Sequence, residues 1–333
     1  MPRLLPVLVA TAFWWVCNAE LEAAALTAGN ILISRLDSRQ VVERTPAGAL
    51  VQTFSIPAEP TGAESLRDLV KTPDGSVQIY NGTFNPVLTT LNPVTSARVN
   101  RSFASFNTVN NISYGGIGAI GSYVFATDMA APTDRGIVRF DLSGGPTQRF
   151  ATFDGYQDLT IGGDGLLYAL PGESTPASTI DVFDPFTLTL KRTITLDPAL
   201  FVADLRALAV NTNGNIYAAG WDGSVYAVSP SGSLFNSRAL GLGNLTDIDI
   251  NNSGTLLVAT RFGRVAETNT NFSSIFTFLE NPSQETIHAA WVNGITPIPE
   301  PAVGLMGALL LAAAGVSRLV RPRFIRWYHS FAS

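Results

Sequence analysis

The chain of 333 residues holds one cysteine and two histidines, and only 14% of it is charged. Cys17 lies in the first twenty residues, within the segment read below as a leader. The body that follows has no thiol for a disulfide, a cysteine-ligated metal or a cysteine nucleophile, so its stability must come from packing. With only His288 and His329 present, a histidine triad or multi-histidine zinc site has no second partner in the body. The formal charge of −5 and the lack of clustered Lys and Arg before the last residues exclude a nucleic-acid surface. No glycine-rich phosphate loop follows a strand and opens a helix.

Both ends are apolar. Arg3 is followed by a mainly apolar run over 4–16 and small residues near Ala19 and Ala23, which reads as an export leader over 1–25. Val16 before Cys17 argues against a lipid anchor. Near the other end, 302–320 is 19 residues long and interrupted only by Ser317 and Arg318. As a helix it spans roughly 28 Å, enough to cross a bilayer. Arg318, Arg321, Arg323 and Arg326 mark its cytoplasmic flank, which places the body outside the inner membrane and the tail 321–333 inside. A linker, 294–301, carries Pro299-Glu300-Pro301.

Pro299-Glu300-Pro301, an apolar helix and then arginines, in that order, resemble the PEP-CTERM sorting signal of exported bacterial proteins. The resemblance implies processing by an exosortase-type protease, an inner-membrane anchor before that, and delivery to the cell surface or an exopolysaccharide matrix. It covers about the last 35 residues, and the stretch from Trp327 onward departs from the family's purely basic tail.

Between 26 and 293 the chain repeats. Gly29, Gly75, Gly121, Gly165, Gly214 and Gly254 each sit in a polar turn before an apolar strand, at intervals of 40 to 49 residues. Each unit carries a second strand–turn–strand, as in "ERTPAGALV", "VFDPFTLTLKR" and "YAVSPSGSLF". Two hairpins per unit make a four-stranded antiparallel sheet, and six such sheets predict an all-β propeller, with seven blades as the alternative. The first unit opens at its second strand, 30–34, and an orphan strand, 288–292, trails the sixth. The orphan is expected to complete blade one. The units resemble NHL-repeat and gluconolactonase-like six-bladed propellers, which implies the fold.

Counting back seven residues from each aligned glycine finds Asp68, Tyr114, Asp158, Ala207 and Asp247; counting back eight finds Arg67, Ser113, Gln157, Arg206 and Thr246. His288 joins the first column from the closing strand. Arg67, Asp68, Gln157, Asp158, Arg206, Asp247 and His288 are therefore the candidate ligand site at one channel mouth. The competing reading makes the acids acceptors for backbone N–H groups. The calcium set that gluconolactonase-like resemblance implies has no match, since no Glu occupies either column. Asp247-x-Asp249-x-Asn251 lacks the glycine of a calcium loop, and Asp249 is expected on the sheet's other face. No cofactor is expected on these grounds. Trp221, in "GWDGS", is a candidate sugar-stacking residue or a blade-packing one. Two functions stay open: a non-catalytic surface propeller binding polysaccharide or a surface protein, and a secreted lactonase-like hydrolase or lyase.

Overall fold

The computed structural model describes residues 24–57, 66–82, 86–103, 115–128, 135–151, 155–172, 177–201, 203–280 and 285–294. The chain divides into two compact units, Met1–Pro297 and Ile298–Ser333. The second unit, most of the leader, the Pro-Glu-Pro motif and the apolar run all lie outside the described residues. Among the described residues no helix is long and apolar enough to cross a membrane.

Among the described residues twenty-four strands, β1 (Ile31–Arg35) to β24 (Ile287–Trp291), form six four-stranded antiparallel sheets. Blades two to six run in chain order: β4 (Leu66–Lys71) to β7 (Arg98–Ser102), β8 (Ile117–Ile120) to β11 (Gln148–Phe150), β12 (Tyr156–Ile161) to β15 (Leu190–Thr195), β16 (Leu205–Val210) to β19 (Leu234–Ala239), and β20 (Leu245–Ile250) to β23 (Ile275–Leu279). Blade one is assembled from both ends in the order β24, β1, β2 (Gln40–Arg44), β3 (Leu50–Ser55). The blade count is six. The two strands of the closure lie one residue off the expected 30–34 and 288–292.

All six aligned glycines have φ between +58° and +87°, the left-handed region that glycine enters without strain. Five of them turn the chain from a blade's first strand to its second, and Gly29 turns it into β1, the second strand of blade one. In blade three this turn is shorter: Ile120 pairs directly with Tyr123, whereas in blade two Lys71 pairs with Val77. The N–H that meets the acid of the preceding blade comes one residue after the column in blades five and one (Leu208, Ala289), and in blade three it comes from Ile117, so the column position there is Gly116 and not Tyr114. Tyr114 and Ser113 lie outside the described residues.

The core is a ring of six apolar clusters, one in each wedge between neighbouring blades. Successive residues of one strand serve different wedges, as the strand's alternation dictates: Ile31 and Ile33 pack against Leu257 and Val265 of blade six, while Leu32 packs against Leu69 and Ile79 of blade two. Both faces of the inner strands are buried, which is why they read as continuous apolar runs. Glycine permits the tightest approach. A Cβ on Gly116 would lie 2.3 Å from both Asp158 Oδ1 and Leu159 N of the next blade. The "GGIG" stretch thus brings the inner strand of blade three against that of blade four.

The closure is held by more than the β1–β24 ladder. Asp37 N–H and Ser38 N–H donate to Glu285 Oε2 at 2.9 and 2.8 Å, and Arg35 pairs with Glu280 of blade six at 2.7 Å.

Deleting 285–292 opens the ring and exposes two wedges, so the cooperative thermal transition should be lost; a melting temperature equal to the intact chain's would refute this closure. Gly116→Ala should destabilise by about 1–3 kcal/mol, the usual cost of overpacking a filled core, measurable by urea denaturation.

Candidate functional site

The column counted back eight residues has a structural cause. The antiparallel register slips between Leu66 and Asp68, Tyr156 and Asp158, Leu205 and Ala207, and Leu245 and Asp247. The skipped residues are Arg67, Gln157, Arg206 and Thr246. A β-bulge leaves one residue without a partner and re-aims its side chain, and all four line a single channel mouth. These are strand residues turned out of the sheet at one height around the axis.

One residue further along, Asp68, Asp158 and Asp247 are buried, each 7% exposed. Their carboxylates join neighbouring inner strands. Ile117 N–H donates to Asp68 Oδ2 at 2.8 Å, Leu208 N–H to Asp158 Oδ2 at 2.7 Å, and Ala289 N–H to Asp247 Oδ2 at 2.8 Å. The other oxygen of Asp68 and of Asp247 accepts the N–H of the residue that follows it. The staples run from blade two to three, four to five and six to one. Bulged side chains reinforce two of them: Gln157 Nε2 donates to Leu205 O, and Thr246 Oγ1 to Ile287 O at 2.6 Å. The backbone-acceptor reading of these acids is what the geometry shows.

Asp249 does not point to the opposite face. Its Oδ2 accepts Trp291 N–H at 2.8 Å, the same strand that Asp247 engages. With a period of two, Asp247 and Asp249 must share a face.

Burial first, and then the mutual repulsion of the three carboxylates, pushes Asp68 well above the ordinary range; burial and the Asp247 charge do the same to Asp158. Burial raises Asp247 to about 7 and Asp249 to about 6. Burial, with Arg67 nearby, lowers His288 to about 3, so its imidazole is neutral at physiological pH.

On one side of this waist lies a chamber of about 340 Å³. Arg67, Arg206, Trp221, Arg261 and His288 are in its wall. Arg206 lies 4.7 Å and Arg261 5.5 Å from the Trp221 ring centroid, within cation–π range. Arg206 also pairs with Asp204. Trp221 thus carries guanidinium groups on its ring at the rim of the mouth. On the other side, a second opening of about 430 Å³ is bordered by Lys71, Thr72 and Asn252, with Asp249 inside it.

The sequence columns bring together all seven candidate residues in this channel, Asp68 at its waist and the other six bordering the chamber. They miss Arg261, Asp204 and Leu36. Arg261 had a signal: it stands seven residues after its aligned glycine, the same offset as Trp221 and Leu36, all three of which line the mouth. Asp204 lies just before β16 and carries no repeat signal.

No protein-family model matches the chain, and no curated protein matches it. Similar solved structures exist. A protein of unknown function from Bacteroides caccae matches with a TM-score of 0.55 at 10% identity, over 79% of this chain and 99% of that one. The PQQ-bound aldose sugar dehydrogenase from Streptomyces coelicolor matches with a TM-score of 0.50 at 14% identity, over 78% of this chain and 91% of that one. At such identities the likeness shows the propeller fold alone.

If the acids are staples, Asp158→Ala should cost about 1–3 kcal/mol, because Leu208 N–H is left buried without an acceptor. A variant at least as stable as the parent in denaturant titration would mean that relief of carboxylate repulsion outweighs the lost bonds.

Proposed function

We propose that this protein is an exported, non-catalytic binding propeller, delivered to the cell surface or an exopolysaccharide matrix through its C-terminal sorting segment, and that its arginine-lined mouth takes an acidic saccharide. The observation that carries the binding role is the convergence of Arg67, Arg206 and Arg261 on one chamber. Guanidinium groups match carboxylates in a planar, two-pronged geometry, and the Trp221 edge beside them adds an apolar surface for a sugar ring. Two features support a role without catalysis. The carboxylates are engaged by backbone N–H groups, and His288, lowered to about 3, is too weakly basic to take a proton efficiently near neutral pH.

The export and sorting part rests on the leader over 1–25, on Pro299-Glu300-Pro301 and on the apolar run with Arg318, Arg321 and Arg323 behind it. An exosortase-like protease and the inner membrane before processing are the partners that this segment implies.

One observation favours a second reading, a lactonase-like hydrolase or lyase. Asp247 borders the mouth with its pKa raised to about 7, the range in which a carboxyl group exchanges protons efficiently.

Oligomers of a uronic acid should bind the full-length chain, and neutral oligomers of the same length should not. Arg261→Ala should weaken that binding by roughly tenfold or more, the loss of one charge-assisted hydrogen bond, while leaving the melting temperature unchanged. Equal affinity for neutral and acidic oligomers would exclude the reading, and new chain ends appearing during incubation would favour the hydrolase or lyase. Removing 302–333 should release the body from the membrane fraction with its cooperative melt intact; a truncated chain that stays membrane-bound would contradict the sorting role.

A further inference from the structure

Buried carboxyl groups in proteins pair with opposite charges, coordinate metals or hold a proton. Asp68, Asp158 and Asp247 meet neither a Lys nor an Arg in an ion pair among the described residues. Their backbone donors orient them without supplying an opposite charge, and an oxygen that accepts one N–H keeps a second lone pair. Facing two of them is a different kind of group. His288, with 14% of its side-chain surface exposed, points Nδ1 at Asp247 Oδ2 from 4.0 Å, too far for a hydrogen bond, and makes none to any other described residue. Ligand atoms of Asp68, Asp247 and His288 lie within 4.8 Å of one another, a spacing that small side-chain rotations can close onto an ion at about 2.0–2.2 Å.

We propose that Asp68, Asp247 and His288 form a divalent transition-metal site at the waist of the channel. Each ligand comes from the inner strand of a separate blade: β4, β20 and β24. That arrangement explains why a search for contiguous loops finds no motif. One imidazole with two carboxylates suits zinc and ions of its size, whereas calcium and magnesium take oxygen ligands throughout. The outer contacts are those of a prepared site. Ile117 N–H and Ala289 N–H hold the two carboxylates from behind, the service that second-layer partners give to metal ligands. Asp247 and His288 border the chamber, so a coordination position open to that side would face the arginines. An ion there adds positive charge to the floor of a mouth already lined with guanidinium groups. It also joins the closing strand β24 to blades two and six through side chains as well as backbone.

The test is isothermal titration of the chelator-treated full-length chain with zinc chloride, and separately with calcium chloride. The expected result is one zinc per chain, undiminished by millimolar calcium. His288→Ala should weaken it by more than the roughly tenfold typical of losing an outer-layer partner. The imidazole makes no hydrogen bond, so the metal-free variant should melt where the parent does; if it does not fold, His288→Gln keeps the bulk and replaces it in the same titration. Cobalt substituted for zinc should show visible absorption bands that are lost in the same variant. Absence of zinc binding, or zinc binding equal in parent and variant, identifies an adventitious ion only and overturns the proposal. Calcium displacing zinc on equal terms overturns it too, because that marks an all-oxygen site. Arg261→Ala should bind zinc as the parent does, which separates this outcome from any failure of the saccharide reading.

Discussion

Everything in the body depends on closing a ring whose two ends are about 250 residues apart in sequence. A four-stranded blade exposes two apolar faces, and neither can be buried except against another blade. Six blades in a row would still leave two bare faces and an unpaired inner edge on β1. The backbone ladder between Ile31–Arg35 and Ile287–Trp291 removes both defects at once. Glu285 and Glu280 then tie the turn after β1 and the outer part of blade six to the same seam.

The ring is not uniform once closed. Carboxylate staples link blades two to three, four to five and six to one, giving three pairs around the axis. The column residues of the partner blades are Gly116, Ala207 and His288, which carry no carboxylate to staple in return. The interface between blades three and four uses close backbone approach at Gly116 instead. This alternation gathers three carboxyl groups at the waist, while the bulges just above it set arginine, glutamine and threonine side chains around the mouth. An acid-lined floor and an arginine-bearing rim thus lie beside one local irregularity, repeated in four blades.

Much of this was legible without coordinates. The glycine spacing reports turns because a left-handed residue is needed at each, and the apolar runs report strands buried on both faces. Together these yield the blade count, the closure from both ends and the acid column. Other features were not legible. Counting back from Gly121 pointed to Tyr114, because a fixed offset assumes a fixed turn length and blade three has a shorter hairpin. Asp249 shares the face of Asp247 and meets the same strand, β24, as the strand's period of two requires. Arg261 shares its offset with Trp221, but nothing along the chain says that this offset faces the same chamber as the bulges.

The sequence alone therefore determined what local chemistry controls: where the backbone turns, which strands are apolar on both sides, and that long apolar runs stand at 4–16 and 302–320. Tertiary structure decided what depends on distance between blades. Three carboxylates and one imidazole meet only because a closed ring brings separate inner strands to a common axis, and three arginines face one chamber only because register slips turn two of them out of their sheets. Local propensity acts over a few residues, whereas the meeting of groups hundreds of residues apart is set by the curvature of the ring and the lengths of its turns.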